Sequence, residues 1–398
     1  MVCLPIRLLS GTETAEMIPL TEPHITEDDR RCVEDTMRRN WVSTAGDAAG
    51  RFEYCILSYT NALHAISTST GTSALHLALL AAGVKPGDGV VIPDFTFIAT
   101  ANAVAHCSAI PILVDISRET LAMDTALLRE FFESKTQIAN GQRQLRNGSI
   151  PVRAMVVVYP FGWPPDMKEF LAISNEYNVP MIEDAAAALG STISRKHPGT
   201  WGLAACLSFN GNKIMTTGGG GMILTNQEQV AEEVRFMREQ SNQTAHPDRN
   251  LPGFNCAMPA LNAALGLGQC NRLVELFDKK IEIFDRYVVE LQGSPFRVFN
   301  PAWKGRVYNK WITLVECEDP VATATYLAKR DVRTALAWRP IHQTGIFRKP
   351  LSATLNGNSV WAYNTFLALP SSCTLTGRQQ TKVLKDLFAS LDPKNKRQ

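Results

Sequence analysis

Between residues 60 and 225, short apolar runs alternate with amphipathic stretches. That alternation calls for strands covered by helices, an α/β arrangement. The runs Gly89 to Pro93 (GVVIP), Pro111 to Asp115 (PILVD), Arg153 to Val158 (RAMVVV) and Val179 to Asp184 (VPMIED) are bounded by Gly, Pro or Asp. Apolar on both faces, they read as buried, mostly parallel strands. Between the last two, Asp166 to Tyr177 has helical apolar spacing, and Asp166 followed by Glu169 predicts a capping-box start. Strand, helix, strand in that order requires a right-handed crossover.

Downstream, Pro259 to Leu291 reads as one long helix closed by Gly293 and Pro295. Val307 to Val315 reads as a strand, Asp319-Pro320 opens a helix, and Thr376 to Leu391 forms another. The expected organisation is a flexible extension over residues 1–17, a large domain over 18–258, a linking helix over 259–293 and a small α+β domain over 294–398. A chain of 398 residues that is 45% hydrophobic can bury two such cores.

Charge narrows the function classes. The net charge of +2 arises from 40 basic and 38 acidic residues with no basic stripe, which argues against nucleic acid or an anionic membrane as partner. No apolar run approaches the ~18 residues of a membrane span, and MVCLPIRLLSGTETAE is too broken by Arg7 for a secretory signal. The nine cysteines show no zinc-ligand spacing. Free thiols in a reducing, cytoplasmic setting are expected.

Three stretches carry chemistry. Thr70-Gly71-Thr72-Ser73 precedes the helical run ALHLALLAAG, so backbone N–H groups and hydroxyls gather at a helix N-terminus, a place for an anion, foremost phosphate. A simple helix cap would use the same residues. Asp184 ends the strand VPMIED, with the small residues Ala185 to Ala188 behind it; there a carboxylate can bind a ring cation or merely form a turn. In SFNGNKIMTTGGGG, residues 208 to 221, Lys213 lies between a Ser/Asn/Gly turn and a glycine run that lets a flat group approach the backbone. A lysine amine with a lowered pKa condenses with an aldehyde. Phosphate turn, ring-nitrogen carboxylate and Schiff-base lysine are together what pyridoxal 5'-phosphate (PLP) requires.

These stretches, with WVSTAG (41–46), RFE (51–53), STGTSALHLAL (69–79), PDFTFIATANAV (93–104), IEDAAAALGS (182–191), FNCAMPALNAALGLGQ (254–269) and LPSS (369–372), make the chain from about Ile18 to Thr376 resemble the PLP-dependent nucleotide-sugar aminotransferases of the DegT/DnrJ/StrS group, fold type I. The resemblance implies a homodimer with shared active sites. It assigns Lys213 to the cofactor aldehyde and to proton transfer, and Asp184 to the pyridine nitrogen. Gly71, Thr72, Ser73 and Ser208 fall at the phosphate, Phe97 on the pyridine face, and Asn255 at the phosphate of the neighbouring subunit's cofactor. Trp41, Ser43, Thr44 and His342 fall in segments that line the sugar-nucleotide pocket, with a structurally satisfied loop histidine as the alternative for His342. The implied reaction moves the amino group of L-glutamate to a ketone, at carbon 4, of a nucleotide-linked deoxysugar. TTGGGG after SFNGNK most resembles enzymes acting on UDP-4-keto-6-deoxy-N-acetylhexosamines of the legionaminic or bacillosamine type.

The chain departs from that pattern at three places. Ala187 stands where a polar residue is usual, Asn255-Cys256-Ala257 replaces an Asn-Tyr-Arg run, and Ala335-Leu336 replaces an Arg-Pro pair. Arg333 and Arg339 are the nearby candidates to replace the lost cations. Two alternatives stand beside the aminotransferase: a PLP-dependent sugar dehydratase, in which a histidine is common at the position of Lys213, and a non-catalytic PLP-binding relative.

Overall fold

The computed structural model describes residues 17–392 apart from 149, 242–252 and 349. All but one residue of the expected N-terminal extension therefore lies outside the described residues. An eight-stranded sheet forms the centre, in the order His64–Thr68, Gly221–Thr225, Ala204–Ser208, Met181–Asp184, Val152–Val158, Gly89–Pro93, Ile110–Val114, Ala353–Thr354. The Gly221–Thr225 strand runs antiparallel to both of its neighbours, and every other pairing is parallel. All four strands expected between residues 60 and 225 lie in this sheet.

Both faces of the sheet are dry, which explains the unbroken apolar runs. Successive side chains of a strand point to opposite faces. Val91, Met155 and Val157 enter one core cluster, while Val90, Ile92, Ala154 and Val156 enter a second. The Met167–Tyr177 helix starts where expected, its first turn capped by the Asp166 carboxylate, which accepts from the Glu169 N–H. The Glu169 side chain does not return the bond to the cap; it accepts from Arg129 instead.

The smaller unit is built on an antiparallel sheet in the order Arg297–Val298, Thr313–Glu316, Phe366–Leu369, Ala335–Leu336, covered by the Pro320–Ala328 and Gly377–Ala389 helices. Ile18 bridges Val332 of this unit, and Ser371 N–H donates to Leu20 O. Residues 18–20 thus run along the small unit, whereas the sequence boundary places them in the large one.

Two elements are divided where the sequence predicts continuity. Pro259 to Leu291 forms two helices, Ala260–Cys270 and Leu273–Glu290, with the break at Asn271-Arg272. Gln269 Nε2 and Arg272 Nη2 both donate to the fully buried Asp29 carboxylate at 2.8 Å, and this shared anchor turns the chain. The expected strand Val307 to Val315 is two short pieces, Arg306–Val307 and Thr313–Glu316. Lys310 has φ of 57°, which a strand does not accept, and Tyr308, Asn309, Trp311 and Ile312 are all buried rather than alternating.

The cysteines also differ from expectation. Cys55, on the Ala48–Thr60 helix, and Cys270, at the end of the Ala260–Cys270 helix, form a disulfide. Their separation in sequence and their place on two packed helices left no spacing signal to read.

Candidate active site

The parallel strands end along one edge of the sheet, and in open α/β sheets ligands bind at that edge. Here it opens into a cavity of about 370 Å³. From the large domain it receives Gly71 and Thr72 at the N-terminus of the Gly71–Ala81 helix, and Ser208 and Asp184 from strand ends; the small unit adds Trp311, Ala335 and Leu336. The 3.6-residue period aims the first-turn N–H groups of that helix along its axis without intrahelical acceptors. The next one, on Ser73, is already taken by the Thr70 hydroxyl at 2.9 Å. Ser208 can stand against this turn because residue 71 is glycine: a Cβ there would lie 2.9 Å from Ser208 Cβ.

Asp184 is 6% exposed, and burial raises its carboxyl above the ordinary range. Three groups pull the other way: the Thr100 hydroxyl, which donates to Oδ2 at 2.6 Å, the Ala186 N–H on Oδ1, and the positive charge of Lys213. Such a carboxylate is completed by a cation, which a protonated ring nitrogen supplies. Behind it, Glu183 is wholly buried and accepts from the N–H groups of Gly199, Trp201 and Gly202 and from the Tyr159 hydroxyl at 2.7 Å. This fixes the strand end that presents Asp184.

Lys213 lies in the turn after the Ala204–Ser208 strand, its N–H donating to Asn210 O. Desolvation lowers its amine to about 8, with Asp184 opposing the shift. A group titrating near 8 keeps a reactive, unprotonated fraction at neutral pH, which an exposed lysine does not. Beside it, Asn212 lines the cavity, and its Oδ1 is buried without a partner among the described residues. A buried acceptor left open at a cavity wall is what a bound polar group would satisfy.

Gly71, Thr72, Phe97, Asp184, Ser208 and Lys213 all line the one cavity. Phe97 is 52% exposed at its mouth. Ser73 does not line it; its hydroxyl lies 2.9 Å from that of Thr70 and 3.3 Å from that of Ser69. Asn255 is exposed and also outside the cavity, bridged to Glu239. Trp41, Ser43 and Thr44 are exposed outside it too, with Ser43 O accepting from Ala260 N–H. His342 is held by Asp94: its Nδ1 lies 2.7 Å from one carboxylate oxygen and its N–H donates to the other. These bonds are compatible with the satisfied loop histidine that the sequence offered as the alternative. Arg333 lies against Met17 and Arg339 against Tyr363, and neither lines the cavity.

Several lining residues carry no sequence signal. Trp311, Trp338, Tyr159 and Phe161 form an aromatic wall, with Phe161 and Trp338 stacked at 4.0 Å. They are scattered over 180 positions, from 159 to 338, and an aromatic residue is read as core by default. Thr100 sits inside a quoted motif, but only the fold shows its hydroxyl on Asp184.

The parts fit PLP: helix N–H groups and the Ser208 hydroxyl for phosphate, Asp184 for the ring nitrogen, Lys213 for the aldehyde. Comparison with known proteins agrees. Residues 23–388 match the model of the DegT/DnrJ/EryC1/StrS aminotransferase family. GDP-perosamine synthase of Caulobacter vibrioides is 35% identical over 288 residues, covering 71% of this chain and 72% of that one. EpsN of Bacillus subtilis is 32% identical over 379 residues, covering 93% and 95%. The crystal structure of the aminotransferase TlmJ from Streptoalloteichus hindustanus superimposes with a TM-score of 0.84 at 25% identity, covering 94% of this chain and 99% of that one. With the family model spanning all but the two ends of the chain, this protein belongs to the DegT/DnrJ/EryC1/StrS aminotransferases, fold type I enzymes that depend on PLP.

Proposed function

We propose that the protein transfers the amino group of L-glutamate to the keto group, at carbon 4, of a nucleotide-linked 6-deoxysugar. The observation that carries this reading is Lys213: a desolvated amine lowered to about 8, in one cavity with a buried carboxylate and an open helix N-terminus. A histidine-based dehydratase has no use for that amine.

Each group has a defined task. Gly71, Thr72 and Ser208 would hold the cofactor phosphate, and Asp184 would hold the ring nitrogen in its protonated form. Bound there, the cofactor supplies an electron sink for the carbanion at the substrate carbon. Lys213 Nζ takes the proton from the carbon bearing nitrogen on the donor side and delivers one on the acceptor side. The aromatic wall keeps water from that proton. Ala187, Ala335, Leu336 and Ile312 leave an apolar side to the cavity, which suits the methyl group of a 6-deoxysugar. A GDP-linked sugar product in the name of one relative supports a nucleotide-linked acceptor.

The test has two parts. Borohydride reduction of the PLP-loaded protein, followed by peptide mass spectrometry, is expected to leave the cofactor mass on Lys213; its appearance on another lysine contradicts the assignment. Incubation with nitrogen-15 glutamate and a panel of UDP- and GDP-linked 4-keto-6-deoxyhexoses is expected to label the sugar of at least one. Loss of a sugar hydroxyl without label would establish the dehydratase instead.

A further inference from the structure

We propose that Trp311 is a positioning residue for Lys213, its indole face holding the amine in those steps where it is both free of the cofactor and protonated. This rests on the reading of Lys213 as the cofactor-bonding lysine. An aminotransferase releases that amine in the first half of its cycle and bonds it again only at the end of the second, and in between the amine, when protonated, needs a defined place close to the reacting carbon.

The geometry supplies one. Lys213 Nζ lies 4.2 Å from the centroid of the Trp311 ring. Indole presents the most negative face of any side chain, and a desolvated cation within about 6 Å is attracted to it. The carboxylate of Asp184 is the charged group facing Lys213 from the sheet. Among the described residues it makes no direct ion pair with Lys213, so it attracts the ammonium from a distance without being its seat.

Trp311 is itself fixed from several sides. Its indole Nε1–H donates to Asn212 O at 2.7 Å, tying the ring to the residue next to Lys213. Its backbone N–H donates to Asn309 Oδ1 at 3.1 Å, and Asn309 Nδ2 in turn donates to the carbonyls of Ala187 and Leu189 behind Asp184. Its carbonyl accepts from the ammonium of Lys280 at 3.0 Å, a lysine only 3% exposed that also donates to Ser371 O. The indole bond fixes the ring itself, and the two backbone bonds fix the main chain that carries it, as a group that must receive a cation at a set point requires. Two further lysines lie near Trp311: Lys280 meets its backbone carbonyl rather than the ring face, and the adjacent Lys310 lies over the rings of Phe284, Tyr308 and Trp163.

The readout is the titration of Lys213 in the cofactor-free protein, followed by competitive labelling with acetic anhydride across pH and peptide mass spectrometry. The wild-type midpoint is expected near 8. Trp311→Leu keeps the wall apolar and removes the ring, and should lower the midpoint by about one unit. Trp311→Phe retains a ring face and should recover at least half of that fall. Should Trp311→Leu fail to fold, tryptophan carrying one to four ring fluorines, placed at position 311 alone, keeps the shape while draining the face; the midpoint should then fall stepwise with fluorine number. A midpoint unmoved by fluorination or by Trp311→Leu overturns the proposal. So does a raised midpoint, which would mean that Trp311 only excludes water. The two readings fail separately: cofactor mass on another lysine defeats the assignment of Lys213, whereas cofactor mass on Lys213 with an unmoved midpoint defeats only the role of Trp311.

Discussion

Lys213 links chemistry to stability at the scale of a single residue. Its amine is lowered from 10.5 to about 8 in the folded chain, so between those values the unfolded chain binds more protons than the folded one. Stability of the cofactor-free protein therefore rises as pH goes from about 8 to 10.5, and the full penalty, at most about 3 kcal/mol, is present below 8. Replacing the lysine removes that penalty. Cofactor-free Lys213→Met should melt higher than the wild type at pH 7, with the gap closing towards pH 10.5; equal melting temperatures at pH 7 would contradict the desolvation. The same change should lower turnover by about 10²–10⁴-fold, the range for loss of a general acid and base. Lys280 should behave in the opposite way. Although also lowered to about 8, it donates to two buried carbonyls, and Lys280→Met would leave the carbonyls of Trp311 and Ser371 without it. A melting temperature below that of the wild type at pH 7 is expected.

Local elements show which parts were legible in the sequence. Lys213, Asp184 and Gly71 could be picked out because their chemistry is written in contiguous stretches: a lysine before glycines, an acid ending a strand, a Gly-Thr-Ser at a helix start; Ser208 came only with the family resemblance. Trp311 could not, since its role exists only where the small unit meets the turn carrying Lys213. The division of the helix at Asn271-Arg272 escaped for a related reason. Apolar periodicity runs through the break, and the cause is a carboxylate, Asp29, more than 200 positions away in sequence. Gly71 gives a test at this scale. Gly71→Val would drive a side chain into Ser208, and should weaken PLP binding at least tenfold by equilibrium dialysis while leaving the fold intact by circular dichroism; unchanged binding would show that the phosphate lies elsewhere. The Cys55–Cys270 disulfide gives another. It joins positions 215 residues apart, and loop closure over that length predicts roughly 5 kcal/mol of stabilisation. Cys55→Ser should lower the midpoint of urea unfolding accordingly and leave one additional reactive thiol on denaturation. An unmoved midpoint would mean that the bond is absent in solution.

Over the whole molecule, the mostly parallel sheet followed from the alternation of apolar runs, and the cavity lies at the sheet edge where open α/β sheets bind ligands. Among the described residues no helix is long and apolar enough to cross a membrane. Trp41, Ser43, Thr44 and Asn255 stand outside the cavity of their own chain, in two segments joined by the bond from Ala260 N–H to Ser43 O. In the proposed homodimer this edge would serve the neighbouring site. Light scattering should then give twice the mass of the 43.9 kDa chain, and Asn255→Asp should weaken PLP binding without altering the cavity of its own chain. A monomer that turns over at full rate would refute the shared site. The most direct test of the account is the visible spectrum of the PLP-loaded protein before and after L-glutamate, with 2-oxoglutarate measured in parallel. The account predicts that the visible band of the lysine-bound cofactor bleaches and that about one 2-oxoglutarate appears per chain. An unchanged band with no 2-oxoglutarate would contradict it.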